Sequence, residues 1–130
     1  MRMHQVTLAV DDMDTASAFY ERLGLTLIVD AAPRYRRFET PSGDTVSLHE
    51  EPGWTGSDWP LVYFEYERDA LDALCARLGL TPQDQRYGWR EADIRDPSGN
   101  RIRLFHAGDN RRFPPWRVDG ASKTTREETP

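Results

Sequence analysis

Arg22-Leu23-Gly24-Leu25-Thr26 recurs letter for letter as Arg77-Leu78-Gly79-Leu80-Thr81, 55 residues on. Pro41-Ser42-Gly43-Asp44-Thr45-Val46-Ser47-Leu48 recurs in pattern as Pro97-Ser98-Gly99-Asn100-Arg101-Ile102-Arg103-Leu104, 56 residues on. Two matches in one order at nearly one offset mark an internal duplication, and a duplication decides the fold before any single segment does. The physical classes repeat with the letters. Ala16, Phe19, Tyr20 and Leu23 stand at i, i+3, i+4 and i+7 of one helical face, and Leu71, Leu74, Cys75 and Leu78 do the same. The chain therefore reads as module one, about residues 1–56, and module two, about residues 57–110, which together make a single domain over 1–110. Residues 111–130 follow as a C-terminal strap and polar tail.

Working outward from the repeat, Met3 to Val10 alternates with Val6, Leu8 and Val10 on one face and reads as a strand. A helix over 13–23 follows, with Asp11, Asp12 and Asp14 at its positive end and Gly24 where a left-handed residue stops it. Strands over 25–30, 35–39 and 44–49 complete module one, the last two joined by a Pro-Ser-Gly turn. Module two repeats the order with 61–66, a helix over 69–78, 80–87, 89–95 and 100–106. Pro82, Gln83, Asp84 and Gln85 carry little β propensity and make 80–87 the weakest strand of the set. The class is α+β, two tandem βαβββ modules.

Composition narrows the function. The 130 residues carry 22 acidic against 17 basic side chains, net −5, which disfavours a nucleic-acid binder that must neutralise phosphates. No stretch reaches the roughly 20 apolar residues of a membrane span, and Met1-Arg2-Met3-His4 lacks a signal peptide's apolar run. One cysteine excludes a disulfide framework and a cysteine-rich zinc site. The expectation is a cytoplasmic protein with neither a nucleic-acid nor a membrane partner.

Val10-Asp11-Asp12-Met13…Phe19-Tyr20…Leu23-Gly24-Leu25 and Asp96-Pro97-Ser98-Gly99-Asn100-Arg101-Ile102, set in the doubled βαβββ order, resemble the vicinal-oxygen-chelate superfamily of glyoxalases, bleomycin-resistance proteins and extradiol dioxygenases. The resemblance spans about residues 3–106. It implies a curved mixed sheet around an open cup, often completed by a homodimer. It also implies one metal ligand on each of four strands, at positions that here hold Gln5, Ser47, Leu61 and Arg103. Leucine offers no donor, and a guanidinium has no lone pair and repels a cation. No metal is expected in the usual place, and no cofactor. The alternative is a divalent metal on displaced ligands drawn from Gln5, His49 and Glu65.

Strand alternation selects the residues that should line the cup. These are Gln5, Thr7, Tyr35, Arg37, Ser47, His49, Tyr63, Glu65, Trp89 and Arg103, with Glu91 and Asp93 on the same face as Trp89. Tyr35, Tyr63 and Trp89 offer flat walls, and Arg103 an anion fork that Glu65, Glu91 or Asp93 could pair, with Glu65 the expected partner. His49 and Glu65 form the candidate catalytic pair, as general acid and base. The function expected is binding of a small anionic or aromatic molecule without the superfamily's metal centre. The alternatives are a metal-dependent lyase, isomerase or dioxygenase, and a cup filled by its own salt bridges. In the strap, Phe113 and Trp116 call for burial, and Pro114 and Pro115 forbid a regular helix.

Overall fold

The computed structural model describes residues 1–120; the tail expected from Gly120 onward lies, apart from that glycine, outside the described residues. The elements run β1 (Gln5–Val10), α1 (Met13–Arg22), β2 (Thr26–Ala31), β3 (Tyr35–Glu39), β4 (Thr45–Glu50), β5 (Val62–Glu65), α2 (Arg68–Leu78), β6 (Gln83–Asp84), β7 (Arg90–Arg95) and β8 (Arg101–His106), then a 3-10 turn at Gly108–Arg111. That is βαβββ twice. Each repeat orders its strands alike, β1-β4-β3-β2 in one four-stranded sheet and β5-β8-β7-β6 in the other. In the first sheet β1 runs parallel to β4 while β3 is antiparallel to both neighbours. β6 falls furthest short of its expected length, shrinking to two residues where Pro82 and the polar run after it give a ladder little to hold.

The duplication extends to individual hydrogen bonds. Leu25 N–H returns to the Tyr20 carbonyl and Leu80 N–H to that of Cys75, closing both helix ends in one way. Gly24 and Gly79 take φ of 110° and 72° there, which a side chain rarely tolerates. At the hairpin turns, Gly43 N–H donates to the Thr40 carbonyl and Gly99 N–H to that of Asp96. A Cβ on Gly99 would run into the carbonyl of Thr55, so this turn also needs its glycine for close packing.

The apolar faces are those expected from alternation. Leu8, Val10, Phe38, Val46 and Leu48 are buried together with Ala16, Phe19, Tyr20 and Leu23, and α1 packs on β3 and β4. Phe64, Leu71, Leu74, Cys75, Ile102 and Leu104 are the buried counterparts of the second repeat. Cys75 is fully buried and burial pushes its thiol pKa up, as suits a core residue. Packing clusters the described residues into two compact units, 1–62 with 94–102, and 63–93 with 103–120.

Within the first unit a buried carboxylate organises the turn. Asp96 Oδ1 accepts from the backbone N–H of Ser98 and of Asn100, both at 2.9 Å. Its Oδ2 accepts from the Tyr20 hydroxyl at 2.6 Å and from the Asn100 side-chain amide at 2.9 Å. Asn100 Nδ2 also donates to the Ala9 carbonyl, its Oδ1 accepts from the Trp54 indole, and Ser98 Oγ accepts from Asp11 N–H. Trp54 of the inter-module segment is thus tied down, while Trp59 is 71% exposed with Arg101 over its ring.

Tyr20→Phe removes one donor from this carboxylate and should cost about 1.5–3 kcal/mol in urea unfolding at neutral pH. Burial, followed by the charge and hydrogen bond of Asp96, raises the Tyr20 pKa above 10.0. An unfolded tyrosine ionises near pH ~10, so above that the unfolded chain sheds a proton the folded chain keeps, and stability falls as pH rises. The variant should therefore lose less stability than wild type between about pH 9 and pH 11; equal losses would place the alkaline sensitivity elsewhere.

Candidate functional site

In module one the ladder brings five of the expected residues together. Thr7 and Arg37 both pair in register with Ser47, and Ala9 and Tyr35 with His49. Side chains two apart share a face, so Gln5, Thr7, Ser47, Tyr35 and Arg37 form one polar row. Ser47 is fully buried, with its Oγ 2.6 Å from Thr7 Oγ1 and accepting from Gln5 Nε2 at 3.2 Å. Arg37 Nε donates to the Tyr35 hydroxyl at 2.9 Å. Burial acts to raise the Tyr35 pKa, but hydrogen bonds with Ser47, Arg37 and Gln5 outweigh it and bring it below the ordinary tyrosine value.

His49 and Glu65 take partners of their own. His49 Nε2 lies 3.1 Å from Glu51 Oε1. Glu65 accepts from the backbone N–H of Ala107 and Gly108, each at 3.2 Å, and pairs with Arg111 at 3.3 Å. The expected Arg103–Glu65 pair is corrected by this geometry: Glu65, at the end of β5, turns to the chain leaving β8.

Arg103 instead meets the neighbouring strand β7. Its Nε donates to Asp93 Oδ1 at 2.6 Å and its Nη2 to Asp93 Oδ2 at 3.0 Å, a two-point grip, with Glu91 Oε1 3.7 Å from Nη1. The hydrogen bond to Asp93 holds the Arg103 pKa above its ordinary value against the opposing effect of burial. The guanidinium also lies 5.5 Å from the Tyr63 ring centre. Behind it Trp89 stacks on Phe105, centroids 4.5 Å apart, and Tyr63 stands edge-on to both. Glu91 Oε1 accepts from the Tyr87 hydroxyl at 2.6 Å, and burial followed by that bond pushes the Tyr87 pKa up to about 12.

These groups line a cavity of about 340 Å³. Tyr63, Tyr87, Trp89 and Trp116 form its rings, Glu91, Arg103, Asn110 and Arg111 its polar edge, and Pro114 completes it. A second hollow of about 260 Å³ shares Glu91 and Arg103, with Asp93, Thr81, Gln83 and Gln85 beside them. Alternation from strand residues yields Tyr63, Trp89 and Arg103 but not Tyr87, Asn110, Arg111 or Trp116. Trp116 is 59% exposed, against the burial expected of it, and serves as a wall of this cavity.

The superfamily's metal is a poor fit to the positions that would hold it. The Ser47 hydroxyl is engaged by Thr7 and Gln5, Gln5 Oε1 lies 3.2 Å from the Thr45 hydroxyl that donates to it, Leu61 has no donor, and Arg103 presents a fixed positive charge. Among the described residues no three His, Cys, Asp or Glu side chains gather to hold a metal ion.

The sequence matches the family model of the Glyoxalase/Bleomycin resistance protein/Dioxygenase superfamily over residues 2–104. The chain belongs to that superfamily. Solved structures agree on the fold. A possible glyoxalase from Bacillus cereus is 19% identical with a TM-score of 0.68, the match covering 80% of this chain and 97% of that one. A lactoylglutathione lyase from Agrobacterium tumefaciens is 18% identical with a TM-score of 0.63, over 81% and 92%. A bleomycin-binding protein complexed with bleomycin is 21% identical with a TM-score of 0.64, over 82% and 98%. No curated protein sequence matches the chain. No helix among the described residues is long and apolar enough to cross a membrane.

Arg103→Met should destabilise the chain by about 3 kcal/mol, because it leaves the nine-tenths-buried Glu91 carboxylate without its cation. Adding Glu91→Gln should recover part of that loss in a double-mutant cycle. Losses additive within about 0.5 kcal/mol would mean that the two side chains do not interact.

Proposed function

We propose that this glyoxalase-superfamily chain binds a small aromatic molecule in the cavity built from residues 63–116, without the superfamily's usual metal centre. The observation that carries the reading is a wall of four rings beside a partly buried carboxylate–guanidinium cluster. Small-molecule sites have this composition, mostly flat apolar surface with a few fixed polar groups, and a volume near 300 Å³ is at the small end of their range. The likeness to a structure of a bleomycin-binding protein supports a binding role. The anionic ligand suggested by Arg103 loses its rationale once Asp93 and Glu91 answer that charge, whereas the aromatic one keeps it.

In this reading Trp89 and Tyr63 stack the ligand, Trp116 covers it, and Glu91, Asn110 and Arg111 orient its polar edge. Gln5, Thr7, Tyr35, Arg37 and Ser47 stay outside this cavity as a polar set of their own, while His49 keeps Glu51 and Glu65 keeps Arg111 as partners. A homodimer and a cytoplasmic location are part of the same reading. The runner-up, a metal-dependent lyase, isomerase or dioxygenase on displaced ligands, requires His49 and Glu65 to leave Glu51 and Arg111, and nothing observed favours it.

Thermal shift against planar aromatic compounds of each charge tests the proposal. At least one should raise the melting temperature, and Trp116→Ala, which truncates an exposed ring, should cut that shift at least in half. If no compound shifts the wild type, or the variant responds equally, the cavity is not the binding site.

A further inference from the structure

Glu91 holds an unanswered acceptor inside the aromatic cavity. Its side chain is 10% exposed; Oε1 takes the Tyr87 hydroxyl, and Oε2 is buried with no hydrogen-bond partner. A buried carboxylate oxygen without a donor is costly, and such oxygens in native structures call for a missing partner. The terminal carboxylate torsion is broad, so a partial turn brings the second oxygen toward the cavity that Glu91 lines while the first keeps Tyr87.

The charges around the cavity point the same way. Arg103 and Arg111 line it, and three carboxylates answer them: Asp93 and Glu91 for Arg103, Glu65 for Arg111. The Arg103 charge is thus already answered twice. An incoming anion would have to displace Asp93 from its two-point grip and would meet Glu91 as it arrived. An N–H cation leaves that grip intact, and the rings of Tyr63, Tyr87, Trp89 and Trp116 line the cavity it enters.

Resting on the binding role above, we infer that the ligand is a small planar organic cation, of the amidinium or aromatic-amine class, whose N–H groups donate to Glu91 while its ring lies against the tryptophans. The Tyr87 hydroxyl then holds the second carboxylate oxygen and fixes the plane in which the ligand must present its donors.

Benzamidine and benzoate, near-isosteric and opposite in charge, separate the possibilities in a titration followed by tryptophan fluorescence at neutral pH. Benzamidine should bind at least ten-fold more tightly than benzoate, and Glu91→Gln should weaken benzamidine at least ten-fold. An unchanged benzamidine affinity in Glu91→Gln overturns the inference. Benzoate binding as tightly or more tightly overturns it too, while leaving the binding role intact. Binding of neither probe removes both. If Glu91→Gln does not fold, the wild-type preference between the two probes decides.

Discussion

The buried carboxylate of Asp96 is the constraint on which the second repeat's hairpin depends. Four hydrogen bonds converge on it from the Tyr20 hydroxyl, two backbone N–H groups and the Asn100 amide. Each donor lost leaves the enclosed carboxylate less well paired, which favours one conformation of the turn at 96–100. The turn in turn sets the phase of β8. With Asn100 fixed, Ile102 and Leu104 go to the core, and Arg103 and Phe105 to the opposite face. At the equivalent turn of module one Thr40 stands where Asp96 does, and its hydroxyl binds only within its own turn.

From that phase the character of the second repeat follows. The equivalent positions Ser47 and Arg103 have diverged from a small hydroxyl buried among Thr7 and Gln5 to a long cation held by Asp93. One repeat carries a row of neutral hydrogen-bonding groups, the other a charged cluster under aromatic rings. Neither has the donor chemistry of a divalent metal site at the inherited positions. The superfamily's fold is kept, while the second repeat carries ion pairs and rings.

Most of the fold was legible because duplication and alternation are local signals. Both helices, seven of the strands and the glycines that stop the helices were all readable. β6 was least so, since its residues carry no pattern to read. The site was legible by face and not by neighbour. Alternation places Arg103, Glu91, Asp93 and Glu65 on polar faces, but which carboxylate reaches the guanidinium depends on strand adjacency, and β7 supplied it where β5 had been expected. Tyr87, Asn110 and Trp116 lie in segments without periodicity, so the walls they form emerge only in three dimensions. The exposed Trp116 shows that a large ring in a proline-bound strap is as readily a lid wall as a core plug.

The four tryptophans provide the most direct test of where ligand binds. Trp89 and Trp116 line the cavity; Trp54 is tied to Asn100, and Trp59 stands under Arg101. Their indole N–H resonances can be followed in a nitrogen-15 correlation spectrum during titration with a planar aromatic ligand. A ligand in the cavity moves the Trp89 and Trp116 signals and leaves those of Trp54 and Trp59 in place. Movement confined to Trp54 and Trp59 would contradict the account and place the ligand elsewhere on the fold.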